Sequence, residues 1–148
     1  MYDEILLNET IDELTKIKSA MILIKKEYQS VVENTKLKDT QLKKSVKKMI
    51  DILDKIYQEV FKNSEKLKLL NLYGEYYLPT IAKMIQRYQN LSEKEVKTEN
   101  VQNTLNHIEE TFEKLVEHFK NKYVSLFEDE LIDLNAEIKV LMHELGNK

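Results

Sequence analysis

The chain has 148 residues, a formal net charge of −3 and no cysteine. Its length fits a single domain whose core needs no covalent cross-link. The missing cysteines exclude disulfides, thiolate nucleophiles and sulfur-ligated metal sites. Two glycines and one proline are too few for the turns of a β-sandwich or barrel. We therefore predict an all-α fold over residues 1–148, an antiparallel bundle of long amphipathic helices, in a reducing cytoplasm.

The first predicted helix covers about residues 3–35, and a helix of that length is expected to need neighbours along its whole length. Its apolar residues alternate steps of three and four, which is the pattern of one helix face: Leu7, Ile11, Leu14, Ile17, Met21, Ile24, Tyr28 and Val31. Asp39 or Thr40 is expected to cap the second helix, over about residues 39–62. The same rhythm recurs there at Leu42, Val46, Met49, Leu53, Ile56 and Val60.

The third helix is predicted in two parts, over about residues 64–77 and 79–91. Pro79 separates them, because its ring lacks an amide hydrogen and clashes with the carbonyl of Glu75. We expect a kink from Tyr77 to Pro79, with Gly74 adding local conformational freedom.

The last helical unit is predicted over about residues 98–126 and 129–145. Its apolar stripe is least regular at Glu128, Asp129 and Glu130. Acidic residues favour the first turn of a helix, where the backbone amides carry partial positive charge. A break between two helices is therefore expected near Glu128.

Four groups of polar or aromatic residues are candidates for a function. Asp129, Asp133 and Glu137 are spaced by four, so they form either a solvated acidic face or a site for a divalent cation. The histidines at 107, 118 and 143 lack metal-ligand spacing and are assigned no role. We expect no cofactor and no bound metal.

Tyr73, Tyr76 and Tyr77 lie close together just before Pro79. They indicate either core packing with phenol groups that reach polar partners or a ligand pocket lined by aromatic rings. The second helix is rich in lysine, from Lys43 to Lys55, which is typical of a solvated surface. That lysine stripe also suits anionic lipid headgroups or the acidic end of a partner copy. The net negative charge argues against nucleic-acid binding.

Residues 76–85 read Tyr-Tyr-Leu-Pro-Thr-Ile-Ala-Lys-Met-Ile and are followed by Arg87 and Tyr88. This segment resembles the signature of the XpaC family, the 5-bromo-4-chloroindolyl phosphate hydrolysis proteins. The resemblance extends from about Leu69 to the end of the chain. It implies a bacterial helical protein, linked by name to hydrolysis of an indolyl phosphate and often encoded near TelA-like proteins. The hydrophobic membrane segments common in that family are not found in this sequence, so membrane contact is expected to be peripheral at most.

The leading hypothesis is a non-catalytic protein-interaction module that acts in envelope or toxic-anion stress, with a TelA-like protein or a second copy as partner. The alternative is a phosphoric ester hydrolase that binds a metal on the acidic face beside Lys83 or Arg87. A homo-oligomeric coiled coil, the third possibility, requires apolar stripes that stay exposed. The candidate surface residues are Tyr73, Tyr76, Tyr77, Pro79, Lys83, Arg87, Asp129, Asp133 and Glu137.

Overall fold

The computed structural model describes residues 2–37 and 40–146, without the side chains of residues 2 and 3. The described residues form helices joined by short turns, without a strand, which confirms the all-α class. The α-helices are α1 (Tyr2–Glu33), α2 (Gln41–Lys62), α3 (Leu78–Ser92), α4 (Glu99–Ser125) and α5 (Glu128–Gly146). A 3₁₀ helix (Ser64–Leu70) and a π-helix (Tyr73–Tyr77) connect α2 to α3.

The predicted apolar stripes build one buried cluster from α1 to α4, and Ile24, Met49 and Phe112 in it are completely inaccessible to solvent. The N-terminal turns of α1 depart from this pattern. Leu7 and Ile11, both in the predicted stripe, are exposed. The expectation that α1 has neighbours along its whole length is therefore wrong for these turns, as far as the described residues extend.

Side-chain contacts give the relative directions of the helices. Lys16 Nζ lies 2.8 Å from Glu75 Oε1, and Asn34 Nδ2 lies 3.2 Å from Gln89 Oε1. Because both residue numbers rise together, α1 runs in the same direction as the π-helix and α3. Between α3 and α4 the order is reversed, since Tyr73 pairs with His118 and Tyr88 with Glu109. The antiparallel arrangement of the whole bundle stays a prediction.

Threonine side chains cap two of the α-helices. The Lys43 amide donates to Thr40 Oγ1 at 3.4 Å, so Thr40 caps α2. Thr40 was one of the two residues predicted for this cap. Asp39, the other alternative, lies outside the described residues. The Val101 amide donates to Thr98 Oγ1 at 3.2 Å at the start of α4. These bonds satisfy amide hydrogens that have no partner within the first turn of a helix.

The connection between α2 and α3 differs from the single helical segment predicted over residues 64–77. After the 3₁₀ helix, Leu72 adopts a left-handed conformation with φ of 66°, and the π-helix begins at Tyr73. The Leu78 amide donates to the carbonyl of Tyr73, five residues back. Pro79 then lies in the first turn of α3, where a missing amide hydrogen removes no helical bond. A bend of the helix axis at Pro79 stays a prediction.

Gly74 allows close packing between the π-helix and α1. A Cβ atom at Gly74 would lie 2.7 Å from Lys16 Cβ and 2.9 Å from the backbone nitrogen of Ile17. Its φ is not positive. The glycine is therefore required for the approach of two backbones, and the conformational freedom predicted for it is not what this geometry uses.

Candidate functional site

A cleft of about 600 Å³ lies between the π-helix and α3 on one side and α4 on the other. We call it the α3–α4 cleft. Its walls are mostly aliphatic and aromatic. Hydroxyl groups enter from both sides, and an imidazole and an ammonium group enter from α4. The lining residues are Leu69, Asn71, Leu72, Tyr73, Tyr77, Thr80, Ile81, Met84, Thr111, Leu115, His118, Phe119 and Lys122.

The polar contact inside the cleft joins the two sides. Tyr73 Oη lies 3.2 Å from His118 Nε2. The Tyr73 ring is almost completely buried and makes edge-on contacts with the rings of Tyr77, at 5.8 Å, and Phe119, at 5.9 Å between centroids. These contacts fix the position of the phenol, and His118 remains accessible from solvent.

Burial of Tyr73, together with the neighbouring phenol of Tyr77, raises the pKa of Tyr73 to about 12. The phenol is therefore protonated at neutral pH, and it can accept a hydrogen bond from Nε2–H of His118 or donate one to an unprotonated Nε2, depending on the tautomer of the imidazole. A phenol held in this state does not act as a nucleophile near pH 7. When Nε2–H of His118 donates to the phenol, Nδ1 is the nitrogen that can accept a proton.

The α4 wall of the cleft follows from a helical spacing. Thr111, Leu115, His118 and Lys122 are separated by steps of four, three and four, so they share one helix face. Neither His118 nor Lys122 was singled out from the sequence as a site residue. Their helical spacing could have indicated that they share one face of α4. It does not show that this face lies opposite Tyr73 and Tyr77.

The structure separates the residues proposed around Pro79. Tyr73 is buried and its phenol meets His118, whereas Tyr77 is exposed, and both line the α3–α4 cleft. That this cleft is a ligand pocket stays a prediction. Tyr76 is exposed and touches the ring of Tyr77 at 5.4 Å between centroids, without lining the cleft. Lys83 and Arg87 are also exposed and lie outside the lining, and Pro79 is half-buried outside it.

The three acidic residues predicted to share one face of α5 do not all line the same groove. Asp129 and Asp133 line a shallow groove together with Lys66 and Lys68 of the 3₁₀ helix, whereas Glu137 lies beyond it. Lys83 and Arg87 are not in this groove. Among the residues that the structure describes, no group of three or more histidine, aspartate or glutamate side chains is placed to hold a metal ion. The metal site required by the hydrolase alternative is therefore not assembled at α5.

A second candidate surface is α5 itself. All of its 19 residues are described, and none of them is buried. Eight large apolar side chains on it are between 43% and 64% exposed: Leu131, Ile132, Leu134, Ile138, Val140, Leu141, Met142 and Leu145. The break predicted near Glu128 is present, because a turn at Leu126 and Phe127 separates α4 from α5. That turn carries α5 away from the core.

Comparisons with known proteins give a family. Over the described part of the chain, no helix is long and apolar enough to cross a membrane. No curated protein and no solved structure matches the chain. The family model described as "5-bromo-4-chloroindolyl phosphate hydrolysis protein" matches residues 8–141, which adds α1 and α2 to the region where the resemblance was recognised. The chain therefore belongs to the 5-bromo-4-chloroindolyl phosphate hydrolysis protein family.

Proposed function

We propose that the α3–α4 cleft binds a small aromatic anion, and that an aryl phosphate is the class of molecule it fits. The observation that supports this most directly is the Tyr73–His118 contact, beside Lys122, in a cleft with otherwise mainly apolar walls. Such a site offers a flat aromatic group an apolar surface and offers an anion a cation and hydrogen-bond donors. The family description, which names an indolyl phosphate, is consistent with this class.

The cleft also has a suitable volume, and different lining residues could contact the aromatic ring and the phosphate. Small-molecule sites typically enclose roughly 300–1,000 Å³, and the α3–α4 cleft measures about 600 Å³. Tyr77, Met84 and Leu115 would contact the aromatic ring. Lys122 would balance the charge of the phosphate, and the imidazole of His118 would lie beside the water that attacks phosphorus.

The reaction we propose at this site is hydrolysis of the phosphate ester. A water molecule attacks phosphorus, the bond between phosphorus and the aryl oxygen breaks, and His118 accepts the proton that the water loses. The proton then passes to the departing aryl oxygen. Tyr73, whose phenol is protonated at neutral pH, would hold the imidazole by accepting a hydrogen bond from Nε2–H of His118, which leaves Nδ1 as the nitrogen that takes the proton. General base catalysis of this kind contributes about 10²–10⁴-fold in rate.

The test is hydrolysis of 5-bromo-4-chloroindolyl phosphate by the purified chain, against a mock purification. His118→Gln is expected to lower the rate at least about 100-fold. Lys122→Met is expected to weaken substrate binding, seen as a higher KM. The matched control is Lys120→Met on the same helix, because Lys120 pairs with Glu117 at 3.3 Å and lies outside the cleft.

Two results would contradict the proposal. One is the absence of both turnover and saturable binding of the aryl phosphate by the wild-type chain. The other is turnover that requires magnesium or manganese and is lost in Asp133→Asn but kept in His118→Gln. That pattern would place the chemistry on the acidic face of α5, as the metal-dependent alternative requires.

The second candidate function is the leading hypothesis from the sequence, a non-catalytic module that acts by protein association. The exposed apolar side chains of α5 favour it, because most helices in proteins are stabilised by packing of an apolar face and the described residues do not bury the apolar face of α5. The resemblance adds a TelA-like protein as a proposed partner. The two functions use different surfaces, so variants of the cleft and variants of α5 test them separately.

A further inference from the structure

Five of the apolar residues on α5 form a continuous seam. Leu131, Leu134, Ile138, Leu141 and Leu145 follow steps of three, four, three and four, and each is between 43% and 62% exposed. We call this set the α5 seam. A strict three-four alternation is the spacing of a coiled coil, in which two positions of every seven face a partner helix.

The residues beside the α5 seam differ on its two edges. One edge carries Glu130, Glu137 and Glu144, and the other carries Asn135 and Met142. In an antiparallel pair of identical helices, like edges meet, so the glutamates would face glutamates and repel. In a parallel pair, opposite edges meet, so Glu130 would face Asn135 and Glu137 would face Met142. Glu144, and Glu128 on the edge of Asn135, would have no residue of the partner's α5 opposite them. The flanking charges therefore favour parallel pairing.

The apolar N-terminal turns of α1 are a less suitable cover for the seam. Ile5, Leu6 and Leu7 are exposed there, but Glu4, Glu9 and Asp12 lie among and beside them. This acidic end of α1 would repel the glutamate edge of α5, whether it belongs to the same chain or to another copy.

We propose that α5 pairs with α5 of a second copy of this chain as a parallel, two-stranded coiled coil. The proposal rests on the second candidate function, association through α5, and names its partner. A parallel in-register pair places every seam residue opposite its own counterpart. Leu131, Ile138 and Leu145 lie at the first core position of the heptads, and Leu134 and Leu141 lie at the other. Of these, the β-branched Ile138 between two leucines is the part that favours two strands.

Cysteine cross-linking tests the orientation directly, because the chain has no cysteine of its own. Leu131→Cys and Leu141→Cys place one thiol at each of the two core positions, which face each other in an antiparallel pair, about 15 Å apart along the helix at ~1.5 Å per residue. Under mild oxidation, parallel pairing gives a disulfide dimer with each variant alone. Antiparallel pairing gives none with either alone but one with the two mixed. Val140→Cys, on the outward face of α5, is the matched control and is expected to stay uncross-linked.

The oligomeric mass provides the second measurement. The mass of the wild type in sedimentation equilibrium is expected to approach twice the chain mass of 17.6 kDa as concentration rises. The double substitution Leu134→Asp with Ile138→Asp should return it to the monomer while α1–α4 keep their thermal transition, because α5 contributes no buried residue. Ile132→Asp, outside the seam, is the control and should keep the dimer.

The outcomes separate the inference from the function on which it rests. A disulfide formed only by the mixed variants would overturn the parallel arrangement and keep association through α5. A monomeric mass at all concentrations, without any cross-link, would overturn pairing of α5 with a second copy. Hydrolysis of the aryl phosphate by the same monomer would leave the α3–α4 cleft proposal intact.

Discussion

Replacement of Gly74 by alanine tests the packing that positions the π-helix. The added Cβ would lie 2.7 Å from Lys16 Cβ and 2.9 Å from the Ile17 backbone nitrogen, so α1 and the π-helix must separate. Overpacking of this kind costs about 1–3 kcal/mol, and alanine recovers about 0.5–1 kcal/mol through its higher helix propensity. We expect a net destabilisation of about 1–2 kcal/mol, equivalent to a Tm lower by ~3–8 °C.

The assay is urea and thermal unfolding followed by circular dichroism, with Gly146→Ala as the control. Gly146 is the last residue of α5, and a Cβ there would meet nothing within 4 Å. The control is therefore expected to change the free energy of unfolding by less than about 0.5 kcal/mol. If Gly74→Ala were as stable as this control, α1 would not approach the π-helix as closely as described, and the geometry of Tyr73 would need revision.

Three further expectations concern two buried tyrosines and a helix cap. The pKa of Tyr73 is raised from 10.0 to about 12 in the folded chain, so the folded state holds the phenol proton more tightly than the unfolded state does. The stabilisation that follows is fully present below about pH 10. Stability should decline by up to about 2–3 kcal/mol as pH approaches 12, and urea midpoints should decline less in Tyr73→Phe. Tyr88→Phe removes the 2.6 Å bond to Glu109 and should cost about 1–2 kcal/mol in urea unfolding. A double-mutant cycle with Glu109→Gln should show coupling. Thr40→Ala should cost about 0.5–1 kcal/mol in the same assay, through loss of the α2 cap.

Much of the fold could be predicted because helical periodicity reports which residues share a face. The stripe from Leu42 to Val60 was predicted to lie on one face of the second helix, and its members are buried. The connection from Ser64 to Tyr77 could not be predicted in the same way. Its apolar residues fit an ordinary helix, and the π-helix is accompanied by an approach of α1 to Gly74 that no local pattern encodes.

The candidate site was predicted only in part, for a related reason. Tyr73 and Tyr77 stood out because aromatic residues are dense before Pro79, and they line the α3–α4 cleft. His118 and Lys122 lie on α4, more than 40 residues away along the chain. Their spacing shows that they share a helix face, but only the packing of α4 against α3 shows what they face.

For α5, the apolar periodicity does not determine whether its apolar face packs in the core or against another chain. The rhythm that predicts buried faces in α1–α4 continues through Leu131, Leu134 and Ile138, yet these three side chains are exposed. A repeat of three and four specifies an apolar face, and the same face can pack in a core or against another chain. Because α5 leaves the bundle at the turn after α4, its face is left without cover from the described residues. An apolar repeat that stays exposed on α5 therefore favours a partner helix. The glutamates along one edge of the α5 seam restrict the direction in which that helix can run.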